Sequence, residues 1–380
     1  MSDVTNRVLI IGAGFAGLSA AISLAGIGKQ VTLAERSDSL ADGAAITLSN
    51  RAPDALAELG VYEEALEAGV AGWDHTVYDR DFYDAAGNAR TVPSLPLREP
   101  DGMPGYIVLY RPHLAQLLAD RVRGLGVTVR YGLRVTALVD HGEAVTASFD
   151  TGESQDFDLV IGADGSNSST RESIFPGRIA PIYSGHMSFR WIKRDAPDGP
   201  DGIFANDASD AVFVRRLPGN VVYIAAGLDM ENRTVEHDEG IRLFREALQK
   251  FPAPRVQQLL AAVEDSDEVI VRPYTFHNLP APWHRGRILV IGDAAHTMSA
   301  HLGAGGVMAL EDGVVLGQEL GSGGDLDPAL LRFARRRARR TFVAVDACRQ
   351  MLDLQVNYLA DPRDLHRVRE SAFTELVREY

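Results

Sequence analysis

The residues best suited to chemistry near the start of the chain are three glycines and an acid. Gly12-Ala13-Gly14-Phe15-Ala16-Gly17 follows directly on the apolar run Arg7 to Ile11 and opens a helical pattern, LSAAISLAGIG. Gly12 allows a tight turn, Gly14 lets a pyrophosphate approach the backbone, and Gly17 lets helix and strand pack closely. The free N–H groups and positive dipole end of that helix would face the phosphates, with Phe15 and Ala16 in its first turn. Gly28 closes the helix, and Gln30 to Ala34 read as a second strand that ends at Glu35 and Arg36. A carboxylate there can accept from ribose hydroxyls. Strand, glycines, helix, strand and acid in this order predict a dinucleotide site. This unit alone leaves FAD and NAD both open.

Two later segments repeat the logic of a buried strand that delivers an acid. In Asp158 to Gly165 the strand ends at Asp164, and the segment runs on through Ser166, Asn167 and Ser168 to Arg171. In Arg287 to His296 it ends at Asp293, followed by the cluster Gly303-Ala304-Gly305-Gly306 and a helical pattern beginning near Val307. Asp293 can accept from the hydroxyls of a sugar chain. The glycine cluster places backbone N–H groups at a helix start, where they can hold an electron-rich carbonyl edge. These features favour FAD.

With these three segments in order, the chain resembles the class A flavoprotein aromatic monooxygenases, such as p-hydroxybenzoate, salicylate and 6-hydroxynicotinate hydroxylating enzymes. A looser fourth element, Arg111 with Leu114 and Leu118, resembles the family's helix start beside the flavin. The resemblance spans about residues 5–345. It implies that Glu35 holds the adenosine ribose, Asp293 the ribityl chain, and Gly305, Gly306 and Val307 the flavin ring. By the same resemblance Arg111 lies alongside the FAD, and Asp164 sits where NADH or NADPH meets the pyrophosphate. The implied activity is a single-component monooxygenase that hydroxylates a small phenolic or N-heteroaromatic substrate with NAD(P)H and O2, through a flavin C4a-hydroperoxide.

The elements that must position these residues form an α/β fold. A Rossmann-like doubly wound FAD-binding domain is expected from 1–75, 105–178 and 272–345. Residues 76–104 and 179–271 would form an inserted antiparallel β-sheet substrate domain, and 346–380 a C-terminal helical tail. Short strand-like runs mark the insert, with Pro218-Gly219-Asn220 as a hairpin turn. A helix there would bury Ile241, Phe244, Leu248 and Phe251 on one face. The arginine run Arg332, Arg335, Arg336, Arg337, Arg339 and Arg340 reads as a solvated helix face.

Oxygen transfer to a phenol needs a base or proton relay and polar anchors. His301, eight positions after Asp293, is the candidate base, since an unperturbed histidine titrates near pH ~6.5. Tyr223 and His186 are further catalytic candidates. On the sheet, Arg190, Phe213 and Arg215 are candidates for substrate binding, and strand alternation puts Phe213 and Arg215 on one face. His296 reads as structural. The loop departs from the family, with Thr297 and Ala300 where prolines usually stand, so it is expected to be freer. Ala304 and Val307 replace a usual glutamine and asparagine.

Composition narrows the field. The 380 residues carry 38 basic and 52 acidic side chains, a net charge of −14, which repels phosphate backbones and anionic lipid. Nucleic acid and membrane partners are not expected. The lone Cys348 allows no internal disulfide, which fits a reducing cytoplasm. No metal cluster is expected, and the chain is read as a monomer or homodimer. An epoxidase, a drug-inactivating hydroxylase or a non-turnover FAD protein remains an alternative on the same scaffold. Trp73, Trp191 and Trp283 are isolated, which disfavours halogenation.

Overall fold

The computed structural model describes residues 6–40, 43–73, 76–77, 82–90, 95–96, 101–177, 180–205, 211–356 and 362–380. A six-stranded sheet runs in the order Thr128–Arg130, Gln30–Ala34, Arg7–Ile11, Leu159–Gly162, Ile288–Val290, His284–Arg285. The first five strands are parallel, and the last turns back antiparallel. Val8, Leu9, Ile10, Leu159, Val160, Ile161, Leu289 and Val290 are all buried, as strands covered on both faces must be.

The register decides where the loops go. Ile11 sits opposite both Ala34 and Gly162, and Gly162 opposite Val290. The carboxyl ends of all four strands therefore lie at one edge, and the residues that follow them converge there. The chain leaves Arg7–Ile11 toward Gln30–Ala34 on one side and reaches Leu159–Gly162 on the other. Ligands of doubly wound sheets bind at such a switch point.

An eight-stranded sheet forms the second body. Its order is His296–Thr297, Val269–Asn278, Ile182–Arg194, Val221–Asp229, Ala211–Leu217, Gly202–Ala205, Phe82–Tyr83, Ala89–Arg90. The hairpin at 218–220 pairs Leu217 with Val221. One face carries Phe189, Trp191, Val212, Val214, Val222 and Ile224, covered by helices His237–Gln249 and Pro254–Ala261 through Ile241, Phe244 and Leu248. The opposite face packs toward the first body, with Leu217, Val221 and Tyr223 against Ala44 and Val108.

Two expected boundaries move. The strand Val269–Asn278 is continuous, so the chain crosses to the nucleotide sheet after Asn278 and not at 271/272. The helix Leu326–Val356 likewise runs through 345/346. The last helix, Pro362–Leu376, buries Ala372, Phe373 and Leu376 in the main core, so the C-terminal segment is a packed part of the fold. Among the described residues no helix is long and apolar enough to cross a membrane, and no metal-binding cluster is present.

Candidate active site

Gly12 and Gly17 are required by the protein itself. Gly12 has φ +107, and a Cβ there would lie 2.4 Å from the Ala163 carbonyl oxygen; one on Gly17 would lie 1.9 Å from the Gly12 oxygen. Gly14 is different. Its φ of −75 suits any residue, and a Cβ would meet nothing within 4 Å. The space in front of Gly14 is reserved for something other than protein.

Two helix starts open on that space. Phe15–Gly26 and Ala304–Gly321 both begin with no side-chain cap and no acid in the first turn, leaving N–H donors for a ligand. They run close together: a Cβ on Gly313 would lie 2.3 Å from the Ala20 nitrogen, and Ser19 Oγ donates to the Leu310 carbonyl at 2.7 Å. Gly306 thus sits beside Phe15 and Gly305 beside Met298, with Val307 buried behind them.

Asp293 leads into the cleft. It is solvent-accessible, yet it is surrounded by protein, and that burial raises its carboxyl above the ordinary range against the pull of His296 and Arg111. An accessible group set so deep lines an interior cleft. Among the described residues nothing hydrogen-bonds to its carboxylate. An open seat at Gly14, two uncapped helix starts and an unpartnered deep carboxylate fit the pyrophosphate, ring edge and polyhydroxyl chain of FAD.

The other candidates fall into place around this cleft, some with altered roles. Glu35 accepts from Ala13 N–H at 2.7 Å and Ser37 N–H at 2.9 Å, which ties the glycine turn to the second strand. Its remaining lone pairs can accept ribose hydroxyls, and Arg36 is exposed beside it. Arg111 lies over the Phe15 ring at 5.3 Å. Asp164 is turned inward: it accepts from the hydroxyls of Ser168, Ser169 and Thr170 and from the Thr170 N–H. It therefore organises its own loop, a correction to its expected place as a direct cofactor contact. Arg171 then fastens that loop to the third motif, donating to the Ser166 carbonyl at 2.8 Å and the Ala294 carbonyl at 2.9 Å.

The face of the large sheet toward the first body carries the substrate candidates. Arg190 and Phe213 both flank Ala225, and Arg215 pairs across from Tyr223. Phe213 meets Tyr223 edge to face at 5.9 Å, and the Arg215 guanidinium lies 5.5 Å from the Phe213 ring centre. Burial pushes the Tyr223 hydroxyl up to about 12. It is a donor at working pH, not a base. Arg190 donates to Ser188 Oγ at 3.2 Å and hydrogen-bonds Tyr274. Burial, with Arg190 and Arg272 nearby, lowers the Arg111 guanidinium against the pull of Asp293, so three cations and one carboxylate meet here.

Tyr274 was not anticipated from the sequence. It stacks on His186 at 5.9 Å and meets His301 at 5.8 Å. The signal was present, since Ile270, Arg272 and Tyr274 alternate along one strand. His186 is fixed by Asp229 at 2.7 Å and lies so close over Gly227 that a Cβ there would sit 1.9 Å from its Nε2.

His301 needs correction as the free base. Its Nδ1 lies 2.6 Å from Ser299 Oγ and its Nε2 2.8 Å from Gln355 Oε1, so both nitrogens are engaged. Burial pushes its pKa down to about 4. The loop is not freer for lacking prolines: Thr297 Oγ1 donates to the Asp293 carbonyl at 3.0 Å, and Thr297 pairs with His277 in a short ladder.

The arginine run also departs from expectation. Arg337 and Arg340 are buried. Arg337 donates to Asp312 Oδ1 and Glu311 Oε2, each at 2.7 Å, and Arg340 to both oxygens of Glu311. Arg340 also reaches the Leu376 carbonyl at 2.6 Å. Only Arg332, Arg335 and Arg339 are exposed. A separate cavity of about 410 Å³ bordered by Arg7, Lys29, Gln30 and Thr128 opens at the amino ends of the strands, away from every candidate residue.

A largely parallel nucleotide sheet whose loops form this cleft, faced by a largely antiparallel sheet with one parallel pair between Gly202–Ala205 and Phe82–Tyr83, defines a flavin-dependent oxidoreductase. Residues 5–346 match the FAD binding domain family, and the chain belongs to it, among its FAD-dependent monooxygenases. It is 30% identical over 351 residues to 3-hydroxybenzoate 6-hydroxylase 1 of Aquipseudomonas alcaligenes, covering 88% of this chain and 86% of that one. It is 29% identical over 388 residues to the FAD-dependent urate hydroxylase of Mycolicibacterium vanbaalenii, covering 98% and 95%. The crystal structure of Klebsiella pneumoniae HpxO with FAD and uric acid superposes with a TM-score of 0.80 at 26% identity, covering 99% of this chain and 94% of that one.

Proposed function

We propose that this monooxygenase hydroxylates a small aromatic ring that carries an anionic group, using NADH or NADPH and O2. The observation that carries this reading is the sheet face over the cleft, where Arg190 stands among aromatic side chains with Arg111 and Arg272 close by. Surplus positive charge set deep in a protein is costly unless a ligand supplies the counter-charge. Two relatives act on rings of this kind by name, a hydroxybenzoate and urate.

The chain's residues then have distinct tasks. Gly12, Gly14, Phe15, Ala16 and Gly17 would seat the FAD pyrophosphate, with Glu35 and Arg36 at the ribose, Asp293 at the ribityl chain and Arg111 alongside. The N–H groups of Gly305, Gly306 and Val307 would face the ring edge. Reduced FAD supplies the activation of oxygen. Arg190 and Arg215 pair the substrate anion, Phe213 packs its ring, and Tyr223 donates a hydrogen bond. Arg–carboxylate and Arg–oxyanion pairs of this type are strong and directional. His186 and His301 brace Tyr274 from two sides. The nicotinamide donor binds transiently. The acidic surface and the single buried Cys348 support a cytoplasmic monomer or homodimer.

The test is NAD(P)H oxidation and oxygen uptake with 3-hydroxybenzoate, 6-hydroxynicotinate and urate beside their neutral counterparts, with product mass measured. The expected result is stimulated oxidation and a gain of one oxygen atom only with the anionic rings. Equal stimulation by neutral rings, or none by any ring, refutes the reading.

A further inference from the structure

Asp293 stands on a single 3-10 turn, Gly292–Ala294, that has no side-chain cap and starts at a glycine of φ 59. Because among the described residues its carboxylate has no hydrogen bond of its own, the backbone of this turn sets where it points. Behind the turn lies Asp312, fully buried on the glycine-cluster helix. Its Oδ2 accepts from Gly292 N–H at 2.8 Å and from His296 Nε2 at 2.7 Å. One oxygen thus grips the chain just before Asp293 and three residues after it. Oδ1 accepts from Arg337 Nε at 2.7 Å. Three donors converge on one carboxylate, and Arg337 is itself held by Glu311 and the Met308 carbonyl.

We propose that Asp312, backed by Arg337, is the positioning residue that fixes the Asp293 turn for FAD. It does not reach the cleft; it acts by clamping both ends of the segment that does. The proposal rests on reading Asp293 as an FAD contact. Only a carboxylate satisfies the arrangement, because an amide has one acceptor oxygen and would press its NH2 against a donor. Asparagine has the same size, so the substitution changes hydrogen bonding without opening a cavity.

The experiment compares the FAD dissociation constant, the visible circular dichroism of bound flavin, and the melting temperature with and without FAD. Asp312→Asn should weaken FAD binding at least about 10-fold, the scale of one lost charge-assisted hydrogen bond, alter the flavin dichroism, and shrink the melting gain that FAD confers. Glu311→Gln is the control. It disturbs the same arginines without touching the turn, so it should lower the FAD-free melting temperature and leave FAD affinity within about 3-fold. If Asp312→Asn does not fold, His296→Phe removes one of the two clamping donors and should weaken FAD about 3- to 10-fold. A loss of FAD-free stability with unchanged FAD affinity in Asp312→Asn, or in His296→Phe where Asp312→Asn does not fold, overturns the proposal while Asp293→Asn binds weakly. Wild-type affinity in Asp293→Asn itself overturns the reading of Asp293, and the proposal with it.

Discussion

Arg337 and Arg190 are both arginines set deep in the protein, and the structure treats them in opposite ways. Arg337 is fully enclosed with Glu311 and Asp312, each at 2.7 Å. Burial alone would raise the Asp312 carboxyl, yet His296 and Arg337 hold it below the ordinary range. Among the described residues no carboxylate partners Arg190. Its partners are Ser188, Tyr223 and Tyr274, and Arg111 adds a like charge. Both arrangements bear a cost in desolvation. In the first, the protein supplies the counter-charge. In the second, the proposed substrate anion would supply it. A surplus of one sign in an interior cleft marks a binding site, and a balanced set marks a scaffold.

Replacing each arginine by leucine should separate the two regimes. Arg337→Leu removes the cation shared by two buried carboxylates and should cost about 3–5 kcal/mol of folding free energy, read by denaturant unfolding. Arg190→Leu should leave stability unchanged or slightly raised, because it relieves repulsion from Arg111. Equal destabilisation by both would erase the distinction. On the cleft side, Gly14→Val probes the space that no protein atom fills. Its backbone accepts the side chain, so FAD-free stability should hold while FAD affinity falls by roughly 100-fold or more. A parallel fall in FAD-free stability would show that Gly14 serves the fold instead. The smaller functional effect belongs to Arg190→Leu, which should lower kcat/KM for an anionic ring by roughly 30-fold with little change for a neutral one.

The same contrast explains what the sequence made legible. The glycine turn, Glu35 and Asp293 were readable because each follows a buried strand, and parallel pairing brings strand ends together. Arg337 and Arg340 were misread because a run of arginines suggests water, and their partners lie 25 to 29 residues away on another helix. A signal did exist. Leu330, Phe333, Ala334, Arg337, Thr341, Ala344 and Cys348 recur at three- and four-residue spacing and are all buried. Tyr274 shares its strand face with Ile270 and Arg272, but which face met the cleft depended on where two helices packed. His301 was legible as a loop histidine, whereas its partners Ser299 and Gln355 depended on the docking of the long C-terminal helix.

The smallest expected effect tests His301, which belongs to neither regime: it is half-buried, neutral and bonded on both nitrogens. Burial holds its pKa at about 4, against an ordinary 6.5. As pH falls through 6.5 the unfolded chain takes up a proton that the folded chain refuses until about pH 4. The unfolded state therefore binds more protons in that window, and stability must fall as pH falls. Above 6.5 the effect is absent. Between 6.5 and 5 it amounts to roughly 2 kcal/mol at 1.36 kcal/mol per pH unit. His277, pushed down to about 3 by burial and by Arg171, adds a contribution of the same sign, so the wild type should lose stability with a slope approaching two protons. His301→Gln can keep a polar contact to Ser299 or Gln355 but cannot titrate, so it should remove about half of that slope and leave stability near pH 7 little changed. Denaturant unfolding of both proteins at pH 7, 6 and 5 measures it. Parallel losses in the two proteins would mean that His301 takes up a proton in the folded state as readily as in the unfolded one, and would restore it as a candidate base.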